Sequence, residues 1–149
     1  MVEYEASVEV ERPPDDVFAF IRDFPRMHEW EPSIVEQRVL TEGPIGAGTR
    51  GLEVRRMLGR RVESSWELIE YEPPRRLTMT FASGKVTGVG RFTLEPVEGG
   101  TRVRVGVEAC GGRLLTLLQP IAARAFRRMD ERTLRHLKEA AEAEHRADA

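Results

Sequence analysis

The last stretch of the chain limits what the rest can be. From Gly112 to Arg146, the residues Leu114, Leu118, Ile121, Ala125, Met129 and Thr133 step by three and four. Leu117, Ala122, Phe126 and Leu137 widen the same stripe, while Arg124, Arg128, Glu131, Arg135, Lys138 and Glu142 fall opposite. That period predicts a long amphipathic helix with one broad apolar face. Such a face must be buried against another layer, and the residues before it read mainly as short strands. One long helix laid across one curved sheet satisfies both. Pro120 interrupts the pattern: either the helix begins near Thr116, with Pro120 in its first turn, or an earlier segment is kinked there. The tail from Ala143 is expected to fray.

Tyr4, Ala6, Val8 and Val10 alternate with Glu3, Glu5, Ser7, Glu9 and Glu11, the pattern of a half-buried strand with an acidic outer face. Pro13-Pro14-Asp15-Asp16 ends it and places a carboxylate at a helix start. Val17, Phe18, Phe20 and Ile21 supply a short helix stopped near Pro25, and Arg26 to Trp30 forms a second turn closed by Pro32. Strands are expected over 34–40, 49–58, 62–71, 76–82, 85–94 and 101–109, separated by glycine- and proline-rich turns. Consecutive strands with short turns argue an antiparallel sheet. The fold class is therefore α+β, in one domain spanning 1–149.

Faces alternate along strands, so each turn length fixes which side chains point inward. A two-residue turn at Ser83-Gly84 pairs Phe81 with Val86, Met79 with Gly88 and Leu77 with Gly90. A turn over 97–100 pairs Leu94 with Val103, Phe92 with Val105 and Gly90 with Val107. A three-residue turn over 59–61 pairs Leu58 with Val62, Arg56 with Ser64, Val54 with Trp66 and Leu52 with Leu68. Gly88 and Gly90 then leave space above the inner face or let the sheet bend. Arg56 points inward, where it needs either a protein carboxylate or the polar group of a ligand. The expected cavity is lined by Trp30, Arg56, Ser64, Trp66, Leu77, Met79, Gly88, Gly90 and Val107, and by Leu118, Ala122, Ala125 and Met129 from the helix. Trp30 and His28 are placed at its entrance.

The formal net charge of −2 gives no electrostatic case for nucleic acid, and no apolar run reaches the ~20 residues of a membrane span. No basic-then-apolar leader is visible at Met1 to Glu5, and the single Cys110 forms no internal disulfide, so a cytoplasmic location is expected. His28, His136 and His145 share no metal-ligand spacing, so neither metal nor cofactor is expected. Gly46-Ala47-Gly48-Thr49-Arg50-Gly51 spells the dinucleotide fingerprint, but a strand pattern follows where a helix is required, so no nucleotide is expected there. Most carboxylates fall on outward parity, and no pair of them marks an acid–base site.

Four stretches together carry a resemblance. They are Pro13-Pro14-Asp15-Asp16-Val17-Phe18 after the first strand; Trp30-Glu31-Pro32-Ser33-Ile34 followed by Gly43 to Arg50; Glu70-Tyr71-Glu72-Pro73-Pro74-Arg75-Arg76-Leu77; and Gly99-Gly100-Thr101-Arg102-Val103. With them the chain resembles, over nearly its whole length, the START-like helix-grip (SRPBCC) superfamily, nearest its polyketide cyclase/dehydrase and coenzyme-Q-binding branch. The resemblance implies a seven-stranded antiparallel sheet gripping a C-terminal helix, with an apolar cavity between them. It implies lipid, polyketide, quinone or hormone ligands and, in some members, cyclisation or dehydration. It transfers no catalytic residue to this chain. The expected function is carriage or sensing of an apolar small molecule. The alternatives are a cyclase or dehydratase, in which Arg56, Ser64 and Trp66 hold a carbonyl, and a protein-interaction module using Arg113, Arg124, Arg127 and Arg128. Oligomeric state, including a homodimer, is left open.

Overall fold

The computed structural model describes residues 1–148, with side chains through residue 144, so His145 lies outside the described side chains. The chain runs β1 (Val2–Val10), α1 (Pro14–Ile21), a 3₁₀ turn (Phe24–Glu29), β2 (Ile34–Val39), β3 (Arg50–Met57), β4 (Arg60–Glu72), β5 (Arg76–Ser83), β6 (Val86–Val97) and β7 (Gly100–Cys110), then α2 (Gly112–Leu117) and α3 (Gln119–Asp148). The seven strands form one sheet in the order β1-β7-β6-β5-β4-β3-β2, every pair antiparallel. This is the helix-grip arrangement. α1 starts as the sequence predicts, with Pro14 in its first turn beside Asp15 and Asp16. Its Val17, Phe18, Phe20 and Ile21 are buried.

One face of the sheet is apolar because each strand contributes alternate residues to it. Ala6 opposes Val105, Phe92 opposes Val105 from the other side, Leu77 opposes Phe92, and Tyr71 opposes Leu77. The β6–β7 register is the expected one, with Leu94 on Val103 and Gly90 on Val107. The β5–β6 turn is Gly84-Lys85, so Phe81 faces Gly88 and Met79 faces Gly90. That shift of two residues keeps every side chain on its predicted face.

The β3–β4 turn overturns the expected register. Met57 pairs with Arg60 across a two-residue turn, Leu58-Gly59, and both turn residues have positive φ (51° and 76°). Positive φ at both central positions is what a type I′ hairpin turn requires, and its twist matches that of the strands. One residue fewer in the turn reverses the pairing parity. Gly51 now opposes Trp66, Glu53 opposes Ser64 and Arg55 opposes Val62 on the inner face. Arg56 points outward, is exposed and sits across from exposed Arg61. The inward placement of Arg56 is therefore wrong, and with it both roles assigned to that residue.

The final helix also departs from its expected course. Leu118 lies outside helical geometry between α2 and α3, and Pro120 stands in the first turn of α3. Pro120 thus stands in a first turn, as one alternative expects, but that helix begins at Gln119 rather than near Thr116. The earlier segment α2 breaks from it there, as the other alternative expects. α3 runs alongside β1 in the same direction: Tyr4 bonds Asp130, the Lys138 ammonium donates to the Glu9 carbonyl, and Arg12 donates to the Ala141 carbonyl. From Asp130 back to Gln119 the helix extends ~16 Å, whereas β1 extends only ~7 Å from Tyr4 back to Val2. The first turns of α3 therefore extend past the start of β1. Leu134, Leu137 and Ala141 are accordingly buried, while Leu114, Leu117, Leu118 and Ile121 are exposed. Leu118 and exposed Ala125 do not face the sheet, contrary to the stripe that placed them there. Helical geometry continues past Ala143 to Asp148 rather than ending there. No described helix is long and apolar enough to cross a membrane.

Candidate functional site

The inner face divides into a sealed zone and an open one. In the sealed zone Val10, Leu68, Leu77, Leu94 and Val103 pack against Val17, Phe18, Phe24 and Trp30 and against Leu134, Leu137 and Ala141 of α3. Trp30, only 1% exposed, is a core residue and not an entrance, because its ring fills the corner between the 3₁₀ turn and the sheet. Leu77, fully buried, is likewise core. In the open zone Met79, Phe81, Gly88, Gly90, Phe92 and Val107 of the sheet are half-buried, as are Ala122, Phe126 and Met129 of the helix. Apolar side chains of both sheet and helix are thus partly open to solvent there.

Two aromatic rings lie over glycines on this face. A Cβ on Gly88 would stand 2.5 Å from the Phe81 ring, and one on Gly51 would stand 2.1 Å from the Trp66 ring. The space expected above Gly88 is thus filled by Phe81. Above Gly90 it stays open, since a Cβ there would meet only Met79, at 3.9 Å. A cleft of ≈ 900 Å³ follows the row Ala109, Gly88, Phe81, Trp66 and Gly51 from Met1 to Leu40 and takes in Phe81 and Gly88 of the open zone. It shares Trp66 and Gly88 with the expected lining and includes no residue of the final helix.

Where the overhanging and packed parts of α3 meet, a chain of polar side chains crosses the interior. The Tyr4 hydroxyl donates to Asp130 Oδ2 at 2.6 Å. Arg55 sits between three carboxylates. Its Nε donates to Glu53 Oε2 at 2.6 Å, one terminal nitrogen lies 3.4 Å from Glu31 Oε2, and its charge is felt at Asp130. Glu31 accepts from Ser33 Oγ at 2.7 Å and from the Thr133 hydroxyl. Gln37 donates to Glu53 Oε1 at 3.0 Å and accepts from Trp66 Nε1 at 2.8 Å. Six elements or connecting loops contribute, so the chain ties β1, α3, the segment before β2, and strands β2, β3 and β4 together. Ser64 stands on the same face, opposite Glu53.

The three carboxyls differ because their partners do. Burial raises Glu31, but Thr133, the Arg55 charge and Ser33 outweigh it and hold the carboxyl below its usual range. Asp130 is raised by burial. The bond from Tyr4 and the more distant Arg55 only partly offset this, and Glu31 adds to the rise. Tyr4 is pushed up by its own burial and by Asp130. Arg55 stays charged despite burial, chiefly because of Glu53. Asp130 is thus a part-buried acid with a neutral donor as its direct partner, on the same helix as the partly exposed Phe126 and Met129. Such a group can hold or release a proton, or receive a donor from a ligand. Among the described residues no set of His, Cys, Asp or Glu could hold a metal ion.

Sequence reasoning missed this chain. Asp130 had a signal: Phe126, Asp130, Thr133 and Leu137 step by four, three and four, so the carboxylate falls within the buried stripe. Glu53 had none, since its face depends on one residue of turn length. Arg55 had a conditional one, because an outward Arg56 makes Arg55 and Glu63 the expected inward pair. Of these Arg55 faces inward, while Glu63 is exposed on the other face. The glycine-rich fingerprint over 46–51 forms a turn into β3, with the Gly48 amide bonded to the Leu68 carbonyl, and no helix opens there.

Comparison with known proteins agrees with this architecture. An uncharacterised protein of Mycobacterium tuberculosis is 27% identical over 142 residues, covering 93% of this chain and 98% of that one. A solved protein of Thermus thermophilus superposes with a TM-score of 0.82 at 21% identity, over 95% of this chain and 97% of that one. A START superfamily protein of Mycobacterium smegmatis gives 0.82 at 14% identity over the same shares, 95% and 97%. At these identities the two structures show a common fold and nothing finer. A family profile described as polyketide cyclase / dehydrase and lipid transport matches residues 1–142, and the chain belongs to that family.

Proposed function

We infer that the protein carries or senses an apolar small molecule with one polar end. The body of the ligand lies in the open groove between Met79, Phe92 and Val107 of the sheet and Met129 of α3, and its polar end meets Tyr4 and Asp130. The observation that carries this reading is the half-exposed apolar face ending at a buried hydrogen-bonding chain. Apolar walls supply affinity, and a few placed polar groups supply orientation. Methionines at 79 and 129 adapt to varied ligand shapes. Native mass spectrometry of the purified protein should show a co-purified apolar ligand, and an environment-sensitive dye should compete with it. Gly90→Leu fills the open space beside Met79, and Ala122→Trp fills it from the helix. Both should abolish dye binding while the fold is kept. If both variants fold and bind dye like the parent, the groove is not the site.

A cyclase or dehydratase is the second reading, favoured by the raised carboxyl of Asp130 bonded to Tyr4. It predicts that Asp130→Asn keeps dye binding and stops turnover of a polyketide substrate.

A further inference from the structure

The overhanging part of the final helix has a composition that the groove does not explain. Leu114, Leu117, Leu118 and Ile121 are 70, 78, 40 and 69% exposed. Leu114, Leu117 and Leu118 lie on and just after α2, and Ile121 stands in the first turn of α3. Exposed Arg124 and Arg128 lie three and seven residues on, on the Ile121 side of α3. Between Ala109 and Met129 the chain carries four arginines, Arg113, Arg124, Arg127 and Arg128, and no Asp or Glu, in a protein of net charge −2. Arg127 pairs with Glu131 at 3.1 Å, whereas Arg113, Arg124 and Arg128 make no ion pair among the described residues. Exposed Lys85 adds a cation beside the helix start, where its carbonyl lies 2.3 Å from the position of a Cβ on Gly111.

We propose that this half-helix docks on an anionic lipid surface. The leucines and Ile121 enter the boundary between headgroups and acyl chains, and the guanidinium groups stay at the level of the phosphates. The overhang gives the helix a side that can reach a flat surface ahead of the sheet. A second copy of the chain fits the same patch worse. A two-fold contact would place one copy's arginines against the other's, with no carboxylate in the segment to balance them. This docking is independent of the ligand reading, because it is measured with no ligand added.

Flotation of the full chain with two vesicle types tests it, one of phosphatidylcholine alone and one of equal parts phosphatidylcholine and phosphatidylglycerol. The protein should float with the second type and hardly with the first, and binding should weaken as salt is raised. The triple change Arg124→Gln, Arg127→Gln, Arg128→Gln should lower the partition constant about a hundredfold. The pair Leu117→Asp, Ile121→Asp should abolish binding, with circular dichroism unchanged because both side chains are exposed. No flotation with the anionic vesicles, equal flotation with both types, or parent-like flotation of the triple variant overturns the proposal. So does a vesicle-free dimer that Leu117→Asp, Ile121→Asp dissociates, since the face would then belong to a second copy.

Discussion

The two halves of the final helix carry similar apolar residues and meet opposite surroundings. Leu134, Leu137 and Ala141 are sealed under the sheet and α1, while Leu114, Leu117, Leu118 and Ile121 stand in water. Apolar content alone does not separate them, since exposed leucines in and just after α2 answer buried leucines later in α3. What separates them is the partner: β1 runs beside the second half and ends before it reaches the first. An amphipathic period therefore reports an apolar face, not a neighbour long enough to cover it. The polar chain of Tyr4, Asp130, Arg55 and Glu31 marks the boundary between the halves.

The largest test of that boundary is Arg55→Met. It leaves Glu31 and Glu53 without their buried cation and should cost about 3–5 kcal/mol. Arg56→Met, one residue along and exposed, should change stability by less than about 0.5 kcal/mol. Equal shifts in urea midpoint for the two variants would mean that the face of β3 is misassigned. Next in size, Leu137→Ala should cost about 3 kcal/mol, against less than about 0.5 kcal/mol for Leu117→Ala. Thermal or urea unfolding of the pair measures the difference between the halves directly, and comparable losses would erase it.

Asp130→Asn should stabilise the fold by about 1 kcal/mol at pH 7, since it removes a poorly compensated buried charge and keeps an acceptor for Tyr4. The sign follows from linkage. The folded carboxyl of Asp130 is raised above 3.8, so the parent loses stability as pH rises from that value through the folded one. The gain in the Asn variant should therefore vanish in acid. Glu31 works in the opposite direction: its carboxyl is lowered below 4.5, so its contribution is present above that pH and is lost as pH falls. Unfolding curves at neutral and acid pH for Asp130→Asn and Glu31→Gln would separate the two. The smallest effect concerns the turn that aims Arg55. Leu58 holds a left-handed φ of 51° and is 103% exposed. Leu58→Asn should gain about 0.5–1 kcal/mol. A loss instead would mean that the turn depends on the leucine side chain.

Much of the fold was legible in the sequence because its determinants are local. Alternation gave β1, proline and aspartate placed α1, and Glu98-Gly99 gave the β6–β7 register. The β5–β6 turn was misplaced by one residue, which shifts the pairing by two without consequence, since an even shift of register preserves faces. The β3–β4 turn was misjudged by a single residue, and every side chain of β3 changed sides. Leucine before Gly59 hid the type I′ turn, because leucine seldom adopts positive φ. The site was less legible than the fold. It is assembled from side chains up to 126 residues apart, as with Tyr4 and Asp130. Its members declare themselves only once register and helix direction are fixed.

The rings resting on Gly51 and Gly88 also restrict how the sequence can drift. At either glycine even a methyl group would collide with a ring and with a backbone carbonyl oxygen, that of Arg38 2.6 Å from the Gly51 position and that of Glu108 2.5 Å from the Gly88 position. Trp66 and Phe81 have no other place to lie while they fill that face. Gly88→Ala should therefore stay destabilising even where Phe81 is shortened, because the Glu108 carbonyl oxygen still stands 2.5 Å from the new methyl group.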